Sequence, residues 1–511
     1  MKEKNKKPNI LVILSDEHTP NVSGFGGDTC VNTQHLDALA EKSFQFDCAV
    51  CPSPVCTSSR MAMLTAKEPH NCSAWNSHWV IFPEHKTWPQ HFADHGYATC
   101  LVGKMHFGGK DQMQGFQHRP YGDMKHGLGH QPEPMSKFPC YDNPESAGIT
   151  EIPESLNSDV VTTIEATSFI LEHENEKPEQ PWFTCIGYTR PHAPLRTPGR
   201  YYNKYKGKTP PPKVSPAKRE SLEPYAKQFV YGTLDEAAHA KGRDGYYACV
   251  DFVDDCIGDL LTKLDNAGSL DNTIIIYSSD HGEMLGEFGL WGKCVYYDPS
   301  IRIPMLISGP GISSGHHSTN KPISLIDLYP TTCALAGLPV PEGLNGYDFS
   351  GFLQDPGNNP APREYVSSAY YKYGILVGGH SISADQKHAA MRTTRNEKYK
   401  YVTIDKGEEL LFDLEKDPLE LSNIISDPSY SEILHKLKTA CFEDFNWDLV
   451  HQRLEEESKR LGAFKSGVQP SMPNQYRFPD GRMFDAETEL YKSRWLNIES
   501  VTGGLIPQRF G

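Results

Sequence analysis

The sequence has no apolar run long enough to cross a membrane; its longest, such as Ile10 to Leu14 and Thr273 to Tyr277, have the length of single strands. It also has no excess of positive charge. With 50 Lys and Arg against 65 Asp and Glu, the net charge is -15, which excludes a general nucleic-acid binder because phosphate contacts need clustered basic residues. An anionic ligand must then be drawn in by a local group of cations. Internal repeats and low-complexity tracts are absent, and the proline-rich KGKTPPPKVSP at 206–216 reads as an exposed loop. The opening MKEKNKKPNILVILSDE is basic at its start but lacks an apolar h-region and a small-residue cleavage site, so the chain is expected in the cytoplasm. A disulfide framework is not expected either. The thirteen cysteines are an odd number, scattered along the chain, and fit reduced thiols. Cys48, Cys51 and Cys56 lie close together, but no second cysteine or histidine pair follows at zinc-site spacing.

What is present is material for a large enzyme. The 511 residues exceed what one core usually holds, and 38% hydrophobic with 11% aromatic residues is ordinary for a globular enzyme. Short aliphatic runs alternate with helical segments: NILVILSDE before TQHLDALAEKSF, then ATCLVGKMHF, PWFTCIGYTRPHAP, and GYYACVDFVDDCIGDLLTKLDNAG before NTIIIYSSDHGE. This alternation predicts an α/β fold, a mostly parallel sheet with helices on both faces, over residues 1–359. From 360 to 453 the pattern MRTTRNEKYKYVTIDKGEELLFDLEKDP predicts antiparallel strands, and SYSEILHKLKTACFEDF a covering helix, in a smaller α+β subdomain. Residues 454–511 lack strong periodicity. They read as a tail that wraps the body or reaches a second copy in a homo-oligomer.

Ligands of open parallel sheets bind beyond the carboxyl ends of the strands, and the polar residues of this sequence gather there. Asp16 follows one strand, Lys104 and His106 another, His192 a third, Asp280 and His281 a fourth. In PSPVCTSSRMAMLTA, Cys56 follows two prolines and opens a helix-like run, with Arg60 one turn later on the same face. A cysteine at a helix start is by itself most often a small buried residue, although backbone N–H groups there favour negative charge. Asp16 and Asp280 are hard oxygen ligands suited to Ca²⁺ or Mg²⁺, and His281 adds a nitrogen that Mn²⁺ or Zn²⁺ would accept. Arg60, Lys104 and Lys293 supply positive charge, and His106 and His192 are the residue type that moves protons near neutral pH.

These segments resemble the formylglycine-dependent sulfatases of the alkaline-phosphatase-like superfamily. CTSSRMAMLTA matches their CxPxR or CxAxR signature at Cys56 and Arg60, with Ser58 where proline or alanine is usual. SDEHTPNVSGFGG, GYATCLVGKMHFGG, TRPHAP, SSDHGEMLGEFGLWGKCVYYDP and ELLFDLEKDPLELSNI match further family elements in order. The resemblance implies a nucleophile made from Cys56 by oxidation to formylglycine, and therefore a maturation enzyme as partner. It also implies one divalent metal, calcium before Mg²⁺, Mn²⁺ or Zn²⁺, held by Asp16, Glu17, residue 56, Asp280 and His281. Lys104 and Lys293 would bind a sulfate ester, Arg60 would orient the nucleophile, His192 would give the leaving alcohol a proton and His106 would take one during release. Asn76 and His78, in SAWNSHW, are candidates to meet the substrate, a sulfated carbohydrate or a small organosulfate, and DHGEMLGEFGLW with the long tail looks like the choline-sulfatase branch. A phosphonate monoester or phosphodiester hydrolase of the same superfamily, and an unmatured binding pseudoenzyme, are the competing readings.

Overall fold

The structure, a computed structural model, describes residues 6–465 except 78, 109–110, 123–143, 231–233, 314, 362, 374–375, 378–379 and 382–384, together with two short strands at 475–477 and 483–485. Its scaffold is an eight-stranded sheet in the order His317–Thr319, Phe44–Phe46, Met305–Ser308, Thr273–Ser279, Asn9–Asp16, Trp182–Pro191, Ala98–Gly103, His118–Tyr121. The five strands from Thr273–Ser279 onward are parallel, and Met305–Ser308 runs antiparallel to both of its neighbours. NILVILSD and TIIIYSS are buried at every position, as strands covered on both faces must be.

Alternation along one strand feeds two cores. Ile10, Val12 and Leu14 pack with Phe183, Ile276, Trp88 and the helix Cys56–Thr65, whereas Leu11 and Ile13 pack on the other face with Ile186 and Tyr277. The second face is closed by the helices Ser158–Glu176 and Glu236–Asn266, through Phe169, Ile170, Val253 and Leu260. All ten residues of Cys56–Thr65 are buried. Its Met61, Met63 and Leu64 each contribute about 1.5–3 kcal/mol by leaving water, enough to fix the helix although its start has no side-chain cap.

A four-stranded antiparallel sheet, Val366–Tyr371, Ala390–Arg395, Tyr399–Ile404 and Glu409–Asp413, forms the smaller C-terminal part, covered by the helix Ser431–Phe442. The expected boundary at 359/360 falls in the loop before Val366. This sheet backs the approach to Cys56: Ala369 N donates to the Pro52 carbonyl at 3.0 Å, and Tyr370 and Val402 pack with Val55. Asp298, which opens the short helix Asp298–Ile301 ahead of the strand Met305–Ser308, accepts from Arg395 at 2.6 Å and Lys400 at 2.8 Å. The 454–511 segment departs from its expected lack of periodicity. It opens inside the helix Trp447–Lys465, whose Val450 and Leu454, one turn apart, bury against Trp75, Trp79 and Phe82. The rest of that tail lies, apart from the two short strands, outside the described residues, and with it the expected contact to a second copy.

The loop at 206–216 is exposed over most of its length, with Val214 turned inward. The twelve described cysteines are all unpaired, in accord with reduced thiols. No described helix is long and apolar enough to cross a membrane.

Candidate active site

Four strand ends deliver the site. Asp16 is the last residue of its strand, at a register shift that re-aims it, while Lys104, His192 and Asp280 directly follow Gly103, Pro191 and Ser279. Gly187 permits the close approach of two of these ends, because a Cβ there would overlap the Lys104 carbonyl. Cys56 comes from the other direction, at the N-terminus of Cys56–Thr65, behind the extended Val55. It therefore sits where unpaired N–H groups favour negative charge.

Asp16, Cys56, Asp280 and His281 bring one ligand atom each to within 4.8 Å of one another, all four buried. Cys56 Sγ is 3.1 Å from His281 Nε2 and 3.6 Å from Asp16 Oδ1. His281 Nδ1 donates to the Gly282 carbonyl at 3.0 Å, which turns the lone pair of Nε2 into the set. Two carboxylates, an imidazole nitrogen and residue 56 are a donor set that fits one divalent cation. Arg60 ties the carboxylates together, Nε donating to Asp280 Oδ2 at 2.8 Å and Nη2 to Asp16 Oδ2 at 3.2 Å, while Nη1 donates to the Lys104 carbonyl at 2.7 Å. Ser59 adds a hydrogen bond to the Asp280 carbonyl at 2.6 Å.

The cations face Cys56. Lys104 Nζ pairs closely with Asp16 Oδ2 and lies 3.9 Å from Cys56 Sγ. Burial pushes the Cys56 thiol up, but Lys104, Lys293 and His281 together with a hydrogen bond to His106 hold it well below the usual thiol range. Burial likewise works against ionised Asp280, yet Arg60 and His281 keep its carboxyl below the ordinary value. His281 is held above its ordinary value despite burial, through Asp280 and Cys56. The floor of the site is thus a dry lattice of opposite charges. Arg60, Asp16, Asp280 and His281 are fully buried, whereas His106 and Lys293 are partly exposed at the mouth.

His106 has φ +56°, and its carbonyl accepts from Thr57 Oγ1 at 2.9 Å, anchoring it over the helix start. Lys293 Nζ is 2.8 Å from His192 Nε2. The nine expected residues Asp16, Glu17, Cys56, Arg60, Lys104, His106, His192, Asp280 and His281 therefore gather around one point with Lys293. Glu17 stands apart from the four-donor set: its carboxylate turns to Lys293 and His192, with Asp16 the only member of the first set in its own three-residue group. Burial pushes Glu17 well above the usual carboxylate range; Lys293 opposes this and Glu283 reinforces it. Asn76 is buried and donates to the Tyr373 carbonyl at 2.5 Å, facing the C-terminal part of the fold. His78 lies outside the described residues.

Two builders of the site were not singled out by the sequence reading. Tyr246, buried in the long helix, donates to the Glu17 carbonyl at 2.6 Å and accepts from Thr19 N at 2.9 Å. Glu283 Oε1 accepts from Leu285 N at 2.8 Å and Gly292 N at 2.7 Å, which folds the loop that presents Lys293. A cleft of about 480 Å³ opens beside these residues, lined by Leu195, Phe229, Tyr246, Trp291 and Glu283 along with Glu17 and Lys293.

A parallel sheet whose strand ends join a cation-fitting donor set, a buried cysteine at a helix start and two histidines is the architecture of a hydrolase of the alkaline-phosphatase-like superfamily. The fold is shared with a phosphonate monoester hydrolase from Silicibacter pomeroyi, at a TM-score of 0.72 and 20% identity, covering 94% of this chain and 100% of that one. The sulfatase family model matches residues 8–338, and that of the N-sulphoglucosamine sulphohydrolase C-terminal region matches 286–445. The chain belongs to the sulfatase family and is by class a sulfuric ester hydrolase. It is 28% identical over 524 residues to a choline-sulfatase of Rhizobium meliloti, covering 97% of both chains. It is 30% identical over 448 residues to an ulvan-active sulfatase of Formosa agariphila, covering 84% of this chain and 80% of the relative.

Proposed function

We propose that the chain hydrolyses sulfate monoesters, of a carbohydrate or a small organosulfate, with residue 56 acting as formylglycine beside one divalent cation. Asp16, residue 56, Asp280 and His281 would hold the cation, calcium by resemblance, with Mg²⁺, Mn²⁺ or Zn²⁺ able to use the same donors. The observation that carries the reading is the place of Cys56 Sγ, 3.1 Å from His281 Nε2 and 3.9 Å from Lys104 Nζ, inside the donor set and under the cations. A bound cation supplies polarisation and charge neutralisation at the sulfate. Hydrated formylglycine supplies a hydroxyl nucleophile and, in its second hydroxyl, a route to release that an ordinary cysteine or serine lacks.

The chain's own residues do the remaining work. Lys104 and Lys293 bind sulfate oxygens, and Arg60 keeps Asp16 and Asp280 aligned while adding positive charge to a molecule that is otherwise acidic. His192 holds a proton at Nε2 for the oxygen of the leaving alcohol. His106 takes one from the second hydroxyl. The cleft lined by Phe229, Tyr246 and Trp291 gives the alcohol a place beside His192 and Lys293. A formylglycine-generating enzyme is the required partner, and the cytoplasm is the compartment that suits unpaired cysteines.

The test is protein made with a competent maturation system, examined by peptide mass spectrometry at residue 56 and assayed on sulfated sugars, choline sulfate, aryl sulfates and a phosphate diester. Conversion of Cys56 to the aldehyde or its hydrate, with sulfate monoesters preferred by kcat/KM, supports the reading. Preference for the phosphate diester moves the chain to the phosphonate and phosphodiester branch. Binding of sulfate esters without turnover, when Cys56 is unmodified in the natural host, makes it a binding protein.

A further inference from the structure

We infer that a polar cavity at the far end of the helix Cys56–Thr65 is a second anion site, separate from the candidate active site, that takes a small tetrahedral dianion such as inorganic sulfate or phosphate. The cavity, about 350 Å³, lies where Lys67, Asn71, His85 and Asn345 meet Arg453 and Glu457 of the helix Trp447–Lys465. Ten helical residues rise about 15 Å, so it stands clear of the strand ends around Cys56. Every side chain that lines it is polar, which suits water or a charged ligand and not an apolar one.

The acids of the cavity are already committed. Glu84 accepts from Arg460 Nη1 at 2.8 Å and Nη2 at 3.1 Å. Glu457 accepts from Trp75 Nε1 at 2.5 Å and from Ser73, and burial raises its carboxyl above the ordinary value. The capacity left over belongs to donors. Lys67, half-buried, forms no ion pair among the described residues. Arg453 Nη1 donates to the His70 carbonyl at 2.8 Å and to Asn71 Oδ1 at 2.7 Å, which leaves Nε and Nη2 to a ligand. Asn345 Oδ1 accepts from Glu68 N at 3.1 Å and Asn71 Nδ2 at 3.2 Å, so its amide nitrogen is the open end. His85 Nδ1 is buried without a hydrogen-bond partner, and burial with Lys67 beside it lowers the ring's pKa to about 4, so it serves as a neutral donor. The carbonyls of the helix end do not oppose an anion: Ala62 O accepts from Lys67 N at 3.2 Å and Ala66 O from Asn345 N at 2.9 Å. Two cations with an imidazole and an amide beside them match a dianion in charge and offer its oxygens separate donors. A bound dianion would tie the helix Trp447–Lys465, through Arg453, to the end of the helix that carries Cys56.

The test is titration calorimetry of the full-length protein in chloride buffer with sodium sulfate and, separately, sodium phosphate. Lys293→Ala serves as the background, since Lys293 is proposed to bind sulfate at the catalytic centre. In that background an equivalent of anion should still bind, and the thermal midpoint should rise with anion concentration. Adding Lys67→Gln should weaken this binding by about tenfold or more and remove the rise, whereas Lys67→Arg, which keeps the charge, should restore both. Because Lys67 has no partner to lose, Lys67→Gln should fold and unfold as wild type does in anion-free buffer. Binding of either anion with this dependence on Lys67 supports the site, and the tighter of the two names its source. The inference is overturned if neither anion binds Lys293→Ala at millimolar concentration, or if Lys67→Gln binds as tightly as its background. Because the readout is binding and not turnover, an inactive enzyme would fault the sulfatase reading and leave this result standing.

Discussion

Arg60 and Asp280 form a wholly buried ion pair, Nε to Oδ2 at 2.8 Å, and Asp280 is at the same time a member of the four-donor set. Removing one partner of such a pair leaves the other charged and dry, at a cost of about 3–5 kcal/mol. Asp280→Ala should therefore lose turnover, retain less metal and unfold at lower denaturant. The same change at Asp271, exposed in the turn before Thr273–Ser279, should do none of these. Denaturant midpoints and metal content of the two variants check this; full activity after exhaustive chelation would remove the metal from the argument.

Cys56 is expected to be the modified residue. Cys56→Ser, in a maturation system that acts only on cysteine, should lower kcat by at least about 10³-fold, on the scale of a lost nucleophile. It should leave the fold intact, since the site is small and the substitution nearly isosteric. Circular dichroism with a mass of the peptide 52–60 distinguishes loss of chemistry from loss of structure, and active enzyme carrying only unmodified Cys56 would refute the assignment.

The two histidines have different proposed roles, His106 beside Cys56 and His192 beside Lys293, and should fail differently. In His106→Ala, the proton acceptor for release is missing, so one equivalent of alcohol should appear rapidly and turnover then slow by about 10²- to 10⁴-fold. In His192→Ala the first equivalent itself should be slow, most severely for alkyl and sugar esters. Rapid-quench measurement of alcohol release separates the cases; the absence of a burst in His106→Ala would count against its role.

A pH effect on stability is predicted away from the site. His70, buried beside Phe445, has its Nε2 3.2 Å from the Asp444 carbonyl, and burial with Arg392 nearby lowers its pKa from 6.5 to about 3. The unfolded chain then binds a proton that the folded chain does not, so this residue's contribution is present above pH 6.5 and is lost as pH falls toward 3. Its share of the slope is at most about 1.4 kcal/mol per pH unit. His70→Phe should flatten the stability profile between pH 6 and 4 by up to that amount, measured by urea unfolding; an unchanged slope would exclude His70 as a source.

Much of the site was legible because strand ends are. A buried run followed by Asp, Lys or His fixes both the element and the place where its polar residue emerges, and Asp16, Lys104, His192 and Asp280 needed no more than that. Glu17 was harder to place. Where its carboxylate points depends on a left-handed turn whose partners, Tyr246 and Asp280, lie more than 200 residues away. Asn76 likewise has a partner that its sequence surroundings do not announce, Tyr373, 297 residues on. In the helix Trp447–Lys465 the charged run EEESKR hides a narrow apolar stripe, Val450 and Leu454, that becomes visible only against Trp75 and Trp79.

The helix Cys56–Thr65 is enclosed from end to end, and the C-terminal sheet braces the loop that leads into it. Cys56, 3% exposed, has no surface to offer another protein. On the proposed reading, the enzyme that oxidises Cys56 must reach the chain while that stretch is still extended, so folding sets a deadline for the chemistry. Because residues 366–413 are synthesised last among the parts that brace it, the interval between emergence of CTSSR and arrival of that sheet becomes a clock. On that reading, faster closure yields more molecules that are correctly folded yet still carry a plain cysteine at residue 56.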